Sequence, residues 1–335
     1  MGLSKKLITR IEEQFRLRDS DIRAVEILDI VEITGGWESP IFSFRSKITK
    51  SSGSVEQGHV IRFYVGDGAI AQARKDFQIM TRVNQFGVPT PGLEFVIFAE
   101  DKPREAYLVM EKIEGPTVAE QKASKRAIRG LADYQAVLHK LDWREIWKPE
   151  GAQELTGQDY VRLRMERLKD AISQLEGSDF DCTLAWLEER FPAESSVELS
   201  LLHNDYHPEN ALVREADGAM FIIDWTFAEP GEARMDLAWT LLQVSIMLGA
   251  EAREDYLKAY EKELGESVKD LAFFEALKFA ERMLTIAQWM QPDFEIPIRK
   301  ISKDALRGSY KVHVINVYAR LKAVTGCEIP LIETL

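Results

Sequence analysis

Leu201 to Val213 reads LLHNDYHPENALV, and after a short turn the chain continues as FIIDW, Phe221 to Trp225. The first stretch sets a carboxylate, Asp205, before a carboxamide, Asn210; the second ends a strand on another carboxylate, Asp224. These residue types have complementary work in moving a phosphoryl group. An attacking hydroxyl needs a carboxylate within hydrogen-bond reach to orient it and take its proton, which fits Asp205. A triphosphate carries charge that a hard cation bridges, and Mg²⁺ takes oxygen ligands such as the Asn210 amide and the Asp224 carboxylate. The spacing thus predicts an ATP- and Mg²⁺-dependent site in which Asp205 is catalytic and Asn210 and Asp224 hold the metal.

The pattern H-x-D-x-x-x-x-N is the protein-kinase catalytic loop in outline, and a hairpin over 211–223 would return Asp224 to the place of the D-F-G aspartate. With a third block, PGEARMDLAW from Pro230 to Trp239, the sequence resembles the aminoglycoside phosphotransferase and choline kinase superfamily. The resemblance implies an α+β, bilobal, protein-kinase-like fold: a small N-lobe with an antiparallel sheet over 1–113 and a larger, mostly helical C-lobe over 114–335. It implies transfer of the γ-phosphoryl group of ATP to a hydroxyl of a small molecule. Asn204 is more like the choline and ethanolamine kinases, whereas Asp224-Trp225 and Asp236-Leu237-Ala238 are more like the antibiotic kinases. Both subfamilies stay open, as does a third reading, a non-catalytic nucleotide-binding pseudokinase.

A chain of 335 residues exceeds one comfortable core, so two lobes are expected. Hydrophobic residues at 45% and charged residues at 29% describe an ordinary globular protein. A net charge of −12 argues against broad nucleic-acid binding, because phosphate backbones are held by Lys and Arg. The acidity also suits a cationic acceptor, and equally an ordinary soluble surface. Cys182 and Cys327 are far apart and share no CxxC or Cys/His spacing, so neither a zinc site nor a disulfide framework is suggested, and a reducing, cytoplasmic location is the default. The opening MGLSKKLITRIEEQF lacks the apolar core of a signal peptide, and no run approaches the ~18 apolar residues of a spanning helix. No membrane partner is expected, and the oligomeric state is not legible.

Along the chain, Leu3, Leu7, Ile8, Ile11 and Phe15 recur at helical spacing. Strand-like runs over 22–33 and 41–48 flank Thr34-Gly35-Gly36, where the backbone of Gly35, Gly36 and Ser39 could approach ATP phosphates without a Cβ in the way. The polar SSGSVEQG reads as a hairpin turn before a strand over 59–65 centred on Arg62. Kinases carry a phosphate-pairing lysine there, and the resemblance implies this role for Arg62, oriented by Asp76 on a helix over 69–85. Strands over 93–98 and 106–112 follow. The resemblance makes the end of the second a hinge, with backbone groups at Glu111 and Ile113 facing the adenine edge and Met110 behind the base.

Beyond the hinge the pattern turns helical, over 118–141, 159–175, 183–190, 253–264, 268–290 and 304–323. The resemblance, through Leu138-His139-Lys140-Leu141-Asp142, implies that His139 packs under the catalytic loop as a structural support, and His203 reads as a buttress of the same loop. Asp236 is placed to cap its own helix and to bond loop backbone. His207 falls on the acceptor side. Trp289 reads first as core, and alternatively as a wall that takes a cationic acceptor together with Asp293 and Glu295.

Overall fold

In the computed structural model the described residues are 3–33, 40–99, 104–121, 124–147, 155–175, 180–192, 198–291, 293–296, 302–308 and 310–330. Gly35, Gly36 and Ser39 lie outside them. The chain divides into two compact units, Met1–Pro116 with Leu212–Thr226, and Thr117–Ala211 with Phe227–Leu335. This differs from a single break after residue 113: the boundary falls at Pro116, and the segment that carries Asp224 counts with the amino-terminal unit.

That unit opens with α1 (Lys5–Arg18), capped by the Ser4 hydroxyl, whose apolar stripe of Leu7, Ile11 and Phe15 is buried. Strands β1 (Ile22–Ile33), β2 (Ile41–Lys50) and β3 (Gly53–Val65) follow, then α2 (Ala69–Gln85), β4 (Leu93–Phe98) and β5 (Glu105–Glu111). They form one antiparallel sheet in the order β1-β2-β3-β5-β4. The α1 stripe packs on inward residues of that sheet, among them Phe42, Phe44, Ile61, Phe95 and Val109. The hairpin turn is narrower than the polar run expected for it: Ser51 and Ser52 make the turn, and Ser54 to Gly58 already pair with Thr49 to Arg45. The run's side chains are exposed, so the backbone ladder extends where no apolar pattern marks it.

The second unit takes up α3 (Lys125–Lys140), α4 (Trp143–Ile146), α5 (Gly157–Ser173), α6 (Asp181–Glu189) and β6 (Ser200–Leu202). After a 3₁₀ turn at Pro208–Asn210 the chain enters the hairpin of β7 (Ala211–Val213) and β8 (Met220–Ile222), then returns through β9 (Glu229–Gly231), which pairs with β6. Five helices complete it: α7 (Ala233–Leu248), α8 (Ala250–Leu264), α9 (Leu271–Met290), α10 (Lys303–Arg307) and α11 (Lys311–Thr325). Every residue of α7 from Met235 to Val244 is buried, the mark of a helix enclosed on all sides. α9 buries Phe273, Phe274, Phe279 and Trp289 in the same core.

Three helices differ from the sequence reading. α3 begins at Lys125 on a Ser124 cap, not near residue 118; Val118 instead gives its N–H to the Ala211 carbonyl. The last long helix is broken at Gly308 into α10 and α11. α7 begins at Ala233 with Glu232 as its cap, so Asp236 sits inside the first turn rather than at the cap. The two cysteines are joined, Cys182 of α6 to Cys327 beyond α11, across 145 residues. Sequence spacing could not anticipate this pair, because the fold, not the chain, brings the two together.

Candidate active site

In the second unit, the loop after β6 is held by a buried carboxylate. Asp236 accepts the His203 N–H at 3.1 Å and the Asn204 N–H at 2.7 Å. Its Oδ2 also meets His139 Nε2 at 3.1 Å and Gln135 Nε2 at 3.3 Å. Burial favours the neutral acid, but the His139 hydrogen bond and the neighbouring donors outweigh it and hold Asp236 below the usual carboxylate range. His139 is itself fixed, with Nδ1 2.7 Å from the Tyr260 hydroxyl.

Asn204 has a φ of +64°, a left-handed conformation that Asn tolerates better than most residues. Its side-chain amide donates to the Phe227 carbonyl at 3.0 Å. This local turn sets the direction of the next residue, Asp205. The Asp205 N–H points to His203 Nδ1 at 3.3 Å. Each Asp205 carboxylate oxygen has a donor: Trp239 Nε1 reaches Oδ1 at 3.3 Å and Asn210 Nδ2 reaches Oδ2 at 3.1 Å. His207 Nε2 lies 3.4 Å from Oδ2. A carboxylate oriented in this way can receive a proton from a hydroxyl that approaches it.

Asn210 directs Nδ2 also to the Asp205 carbonyl at 2.9 Å and to His207 Nε2 at 3.2 Å. Its amide nitrogen is thus spoken for, and among the described residues its Oδ1 accepts no hydrogen bond. An amide oxygen in that state is a hard donor of the kind Mg²⁺ takes.

In the amino-terminal unit, Arg62 at the centre of β3 is buried and gives Nη1 to Asp224 Oδ1 at 2.7 Å. Asp224 has a φ of +63° and also accepts the Thr226 hydroxyl at 2.8 Å. Burial works against the charge on Arg62, but Asp224, Tyr64 and Asp76 outweigh it and raise its pKa. The expected direct pair of Arg62 with Asp76 is not formed among the described residues. Asp76 accepts the Tyr64 hydroxyl at 2.8 Å and Gln72 Nε2 at 2.7 Å. One methylene shorter than glutamate, it bonds its near neighbours and acts on Arg62 only through its field. Burial raises its pKa, against the pull of Arg62.

The hairpin that carries Asp224 is bonded to the loop before β4, with Ile222 N–H to Pro89 at 2.8 Å, and to the segment after β5, with Val213 N–H to the Pro116 carbonyl and Glu215 N–H to Glu114, both 2.9 Å. Gly115 is required there, since a Cβ would lie 2.0 Å from the Val213 carbonyl oxygen. At the hinge itself, the Glu111 N–H is taken by Gly92 at 2.7 Å, whereas among the described residues the Ile113 backbone makes no hydrogen bond. Met110 is half-buried between Val60 and Leu93 in the sheet.

The residues read from sequence as an acceptor wall differ in exposure. Trp289 is buried with the Arg282 guanidinium 5.0 Å from its ring centroid, so a protein cation occupies the face expected for the acceptor. Asp293 and Glu295 are exposed. Trp239, Lys278, Arg282 and His313 escaped the sequence reading. Trp239 had a signal, closing the third quoted block one residue after Asp236-Leu237-Ala238. Among the described residues no cluster of three or more His, Cys, Asp or Glu is placed to hold a metal. No described helix is long and apolar enough to cross a membrane.

A family model described as phosphotransferase enzyme family matches residues 29–272. No curated protein matches the sequence. Among solved structures the chain is similar to a Ralstonia eutropha JMP134 protein assigned as an aminoglycoside phosphotransferase, at 17% identity and a TM-score of 0.63, over 96% of this chain and 95% of that one. It is similar to a thermostable mutant aminoglycoside phosphotransferase in ternary complex with ADP and hygromycin B, at 14% identity and TM-score 0.59, over 94% and 98% of the two chains. It is also similar to a Plasmodium vivax ethanolamine kinase, at 12% identity and TM-score 0.51, over 90% and 82%. At these identities the likeness shows a common, kinase-like fold.

Proposed function

The chain belongs to the phosphotransferase enzyme family, and from that premise we propose that it is an ATP- and Mg²⁺-dependent kinase of a small hydroxyl-bearing molecule, with Asp205 as the catalytic residue. The observation that carries the reading is the Asp205 carboxylate, with one oxygen held by Trp239 and the other by Asn210, on a loop whose backbone is tied to buried Asp236.

Bound ATP supplies the phosphoryl group, and Mg²⁺ offsets the charge that develops on it. The chain's own residues do the rest. Asp205 orients the acceptor hydroxyl and takes its proton as the hydroxyl oxygen bonds to the γ-phosphorus and the bond to ADP breaks. Asn210 Oδ1 and the Asp224 carboxylate serve as metal ligands. Arg62 pairs phosphate oxygens, exchanging part of its contact with Asp224 for the nucleotide, and its planar fork suits two oxygens at once. Ile113 offers its unpaired backbone groups to the adenine edge. Asp76, through Tyr64 and Gln72, keeps a negative field behind Arg62, and Gly35, Gly36 and Ser39 are assigned to the phosphates on sequence grounds alone. His203 and Asp236 support the loop, and His207 steadies Asp205 and Asn210.

The reading is tested by following ADP formation with Mg²⁺ across aminoglycosides, macrolides, sugars and amino alcohols, with Asp205→Asn as control. Acceptor-dependent ADP formation that the variant loses is the expected result. Equal, acceptor-independent turnover by both proteins would favour the pseudokinase alternative, and preference for ethanolamine or choline the amino-alcohol one.

A further inference from the structure

We propose that the acceptor carries an oxyanion, a carboxylate or phosphate group, which Lys278 and Arg282 bind while its hydroxyl meets Asp205. The inference rests on the phosphotransferase reading and concerns the class of molecule phosphorylated. It starts from Trp239. This indole donates to Asp205, and two cations from α9 stand around its ring: Lys278 Nζ at 6.0 Å and the Arg282 guanidinium at 5.9 Å from the centroid.

Neither cation has a carboxylate partner among the described residues. Arg282 gives Nη2 to the Tyr310 hydroxyl and leaves its buried Nε without a bond. Lys278 makes no hydrogen bond or ion pair among the described residues. Elsewhere in this unit, three cations largely withdrawn from water are matched: Arg164 forks onto Glu281, with Nε 2.7 Å from Oε1, Arg234 pairs with Glu232 at 2.9 Å, and Arg253 pairs with Glu275 at 2.8 Å. A partly buried ammonium and guanidinium left unmatched carry a desolvation cost that a bound anion offsets.

The groups around them leave the role open to a ligand. Glu281 is committed to Arg164, and Asp236 to His139 and the loop amides. His313 stacks its edge on Trp239 at 5.8 Å, has a buried Nε2 without a partner, and is held neutral by burial and by Arg282. It therefore offers a further neutral polar contact and no competing negative charge. Cation–π contact with Trp239, Trp289 and Tyr310 holds the Arg282 fork in place. A cationic acceptor entering beside Asp205 would meet two positive charges. An anionic one completes both. In the transfer, the acceptor oxygen bonds to the γ-phosphorus, the bond to ADP breaks, the proton passes to Asp205, and the oxyanion stays on Lys278 and Arg282 unchanged.

The test measures binding to the full chain without nucleotide, by calorimetry, for gluconate, glucose 6-phosphate, glucose and glucosamine. At least one of the two anions is expected to bind tenfold or more tightly than glucose, and which one does so separates a carboxylate from a phosphate acceptor. Lys278→Met is expected to abolish that preference while its melting temperature stays unchanged or rises, since an unpaired charge has been removed. Arg282→Lys, which keeps charge and loses the fork, should weaken it in part. Anions binding no better than glucose, glucosamine binding tightest, or a preference that survives both substitutions would overturn the proposal. Because no phosphoryl transfer is measured, a failed kinase reading leaves this result intact. Conversely, ADP formation with a cationic acceptor alone would sink this inference and keep the kinase.

Discussion

Trp239 holds Asp205: its indole N–H lies 3.3 Å from Oδ1, from a helix that begins well after the loop in sequence. A hydrogen bond from a neutral donor to a carboxylate contributes about 1.5–3 kcal/mol. If that bond serves to aim the carboxylate, Trp239→Phe keeps most of the buried surface and loses only the aim. Its kcat is expected to fall about tenfold or more, by the rule that 1.4 kcal/mol is a factor of ten, with KM for ATP unchanged. Asp205→Asn should cost about 10²–10⁴ in kcat. Steady-state ADP release reads both, and a Trp239→Phe enzyme with wild-type kcat would reject the positioning role.

Arg62 is matched with Asp224, and arginine and lysine are not interchangeable where a planar fork is in use. Arg62→Lys is expected to raise KM for ATP more than tenfold while the fold survives. Arg62→Met goes further: it strands Asp224 and should cost stability by about 1.5–3 kcal/mol. Denaturant melts and ATP titrations separate the two effects. A Lys variant with wild-type KM would show that Arg62 does not touch the nucleotide.

Much of this was legible in the sequence, and the rest fails for physical reasons. α2 and β4 have the bounds that periodicity and Pro/Gly punctuation predict, and the residues of the opening motif fall together because the motif is local. Contacts at long range left no such trace. Trp239 meets Asp205 only because β6 and α7 pack together. Cys182 and Cys327 meet only when α6 and α11 lie along α9. Asp76 is buried as expected of a functional acid, yet its partners, Tyr64 and Gln72, follow from strand and helix geometry. Lys278 and Arg282 are four residues apart on α9, but the same helix carries Glu275 and Glu281, so the sequence alone does not show which of its cations are left unmatched.

Acid should weaken the fold through two buried histidines. His59, buried against Phe15 and Phe44, is pushed by burial and by Arg18 from 6.5 down to about 4. His313 is pushed by burial and Arg282 from 6.5 down to about 3. In each case the unfolded chain takes up a proton that the folded one refuses. The stability is therefore fully present above 6.5 and is lost as the pH falls toward 4 and 3. Denaturant midpoints at pH 7, 6 and 5 should decline, and His59→Gln should flatten the slope. A flat wild-type profile over that range would contradict the assignment.

The disulfide closes a long loop, and such cross-links typically contribute about 2–4 kcal/mol. Reduction, or Cys182→Ser, is expected to lower the melting temperature by several degrees and leave ATP affinity unchanged. Mass spectrometry with and without reductant counts the thiols. Two free thiols in the purified, unreduced protein would remove the cross-link from the account.

The inserted hairpin bears on how the protein is made. Since Leu212–Thr226 belongs with Met1–Pro116, and Pro89, Glu114 and Pro116 all accept hydrogen bonds from it, the amino-terminal unit is unfinished when its own strands have been synthesised. At ribosomal speed the missing piece arrives on the order of ten seconds later. Until then β5 ends on bare carbonyls. No single cut can separate the units with both intact, so nascent chains stalled before residue 226 should be open to protease in a segment that the released protein protects.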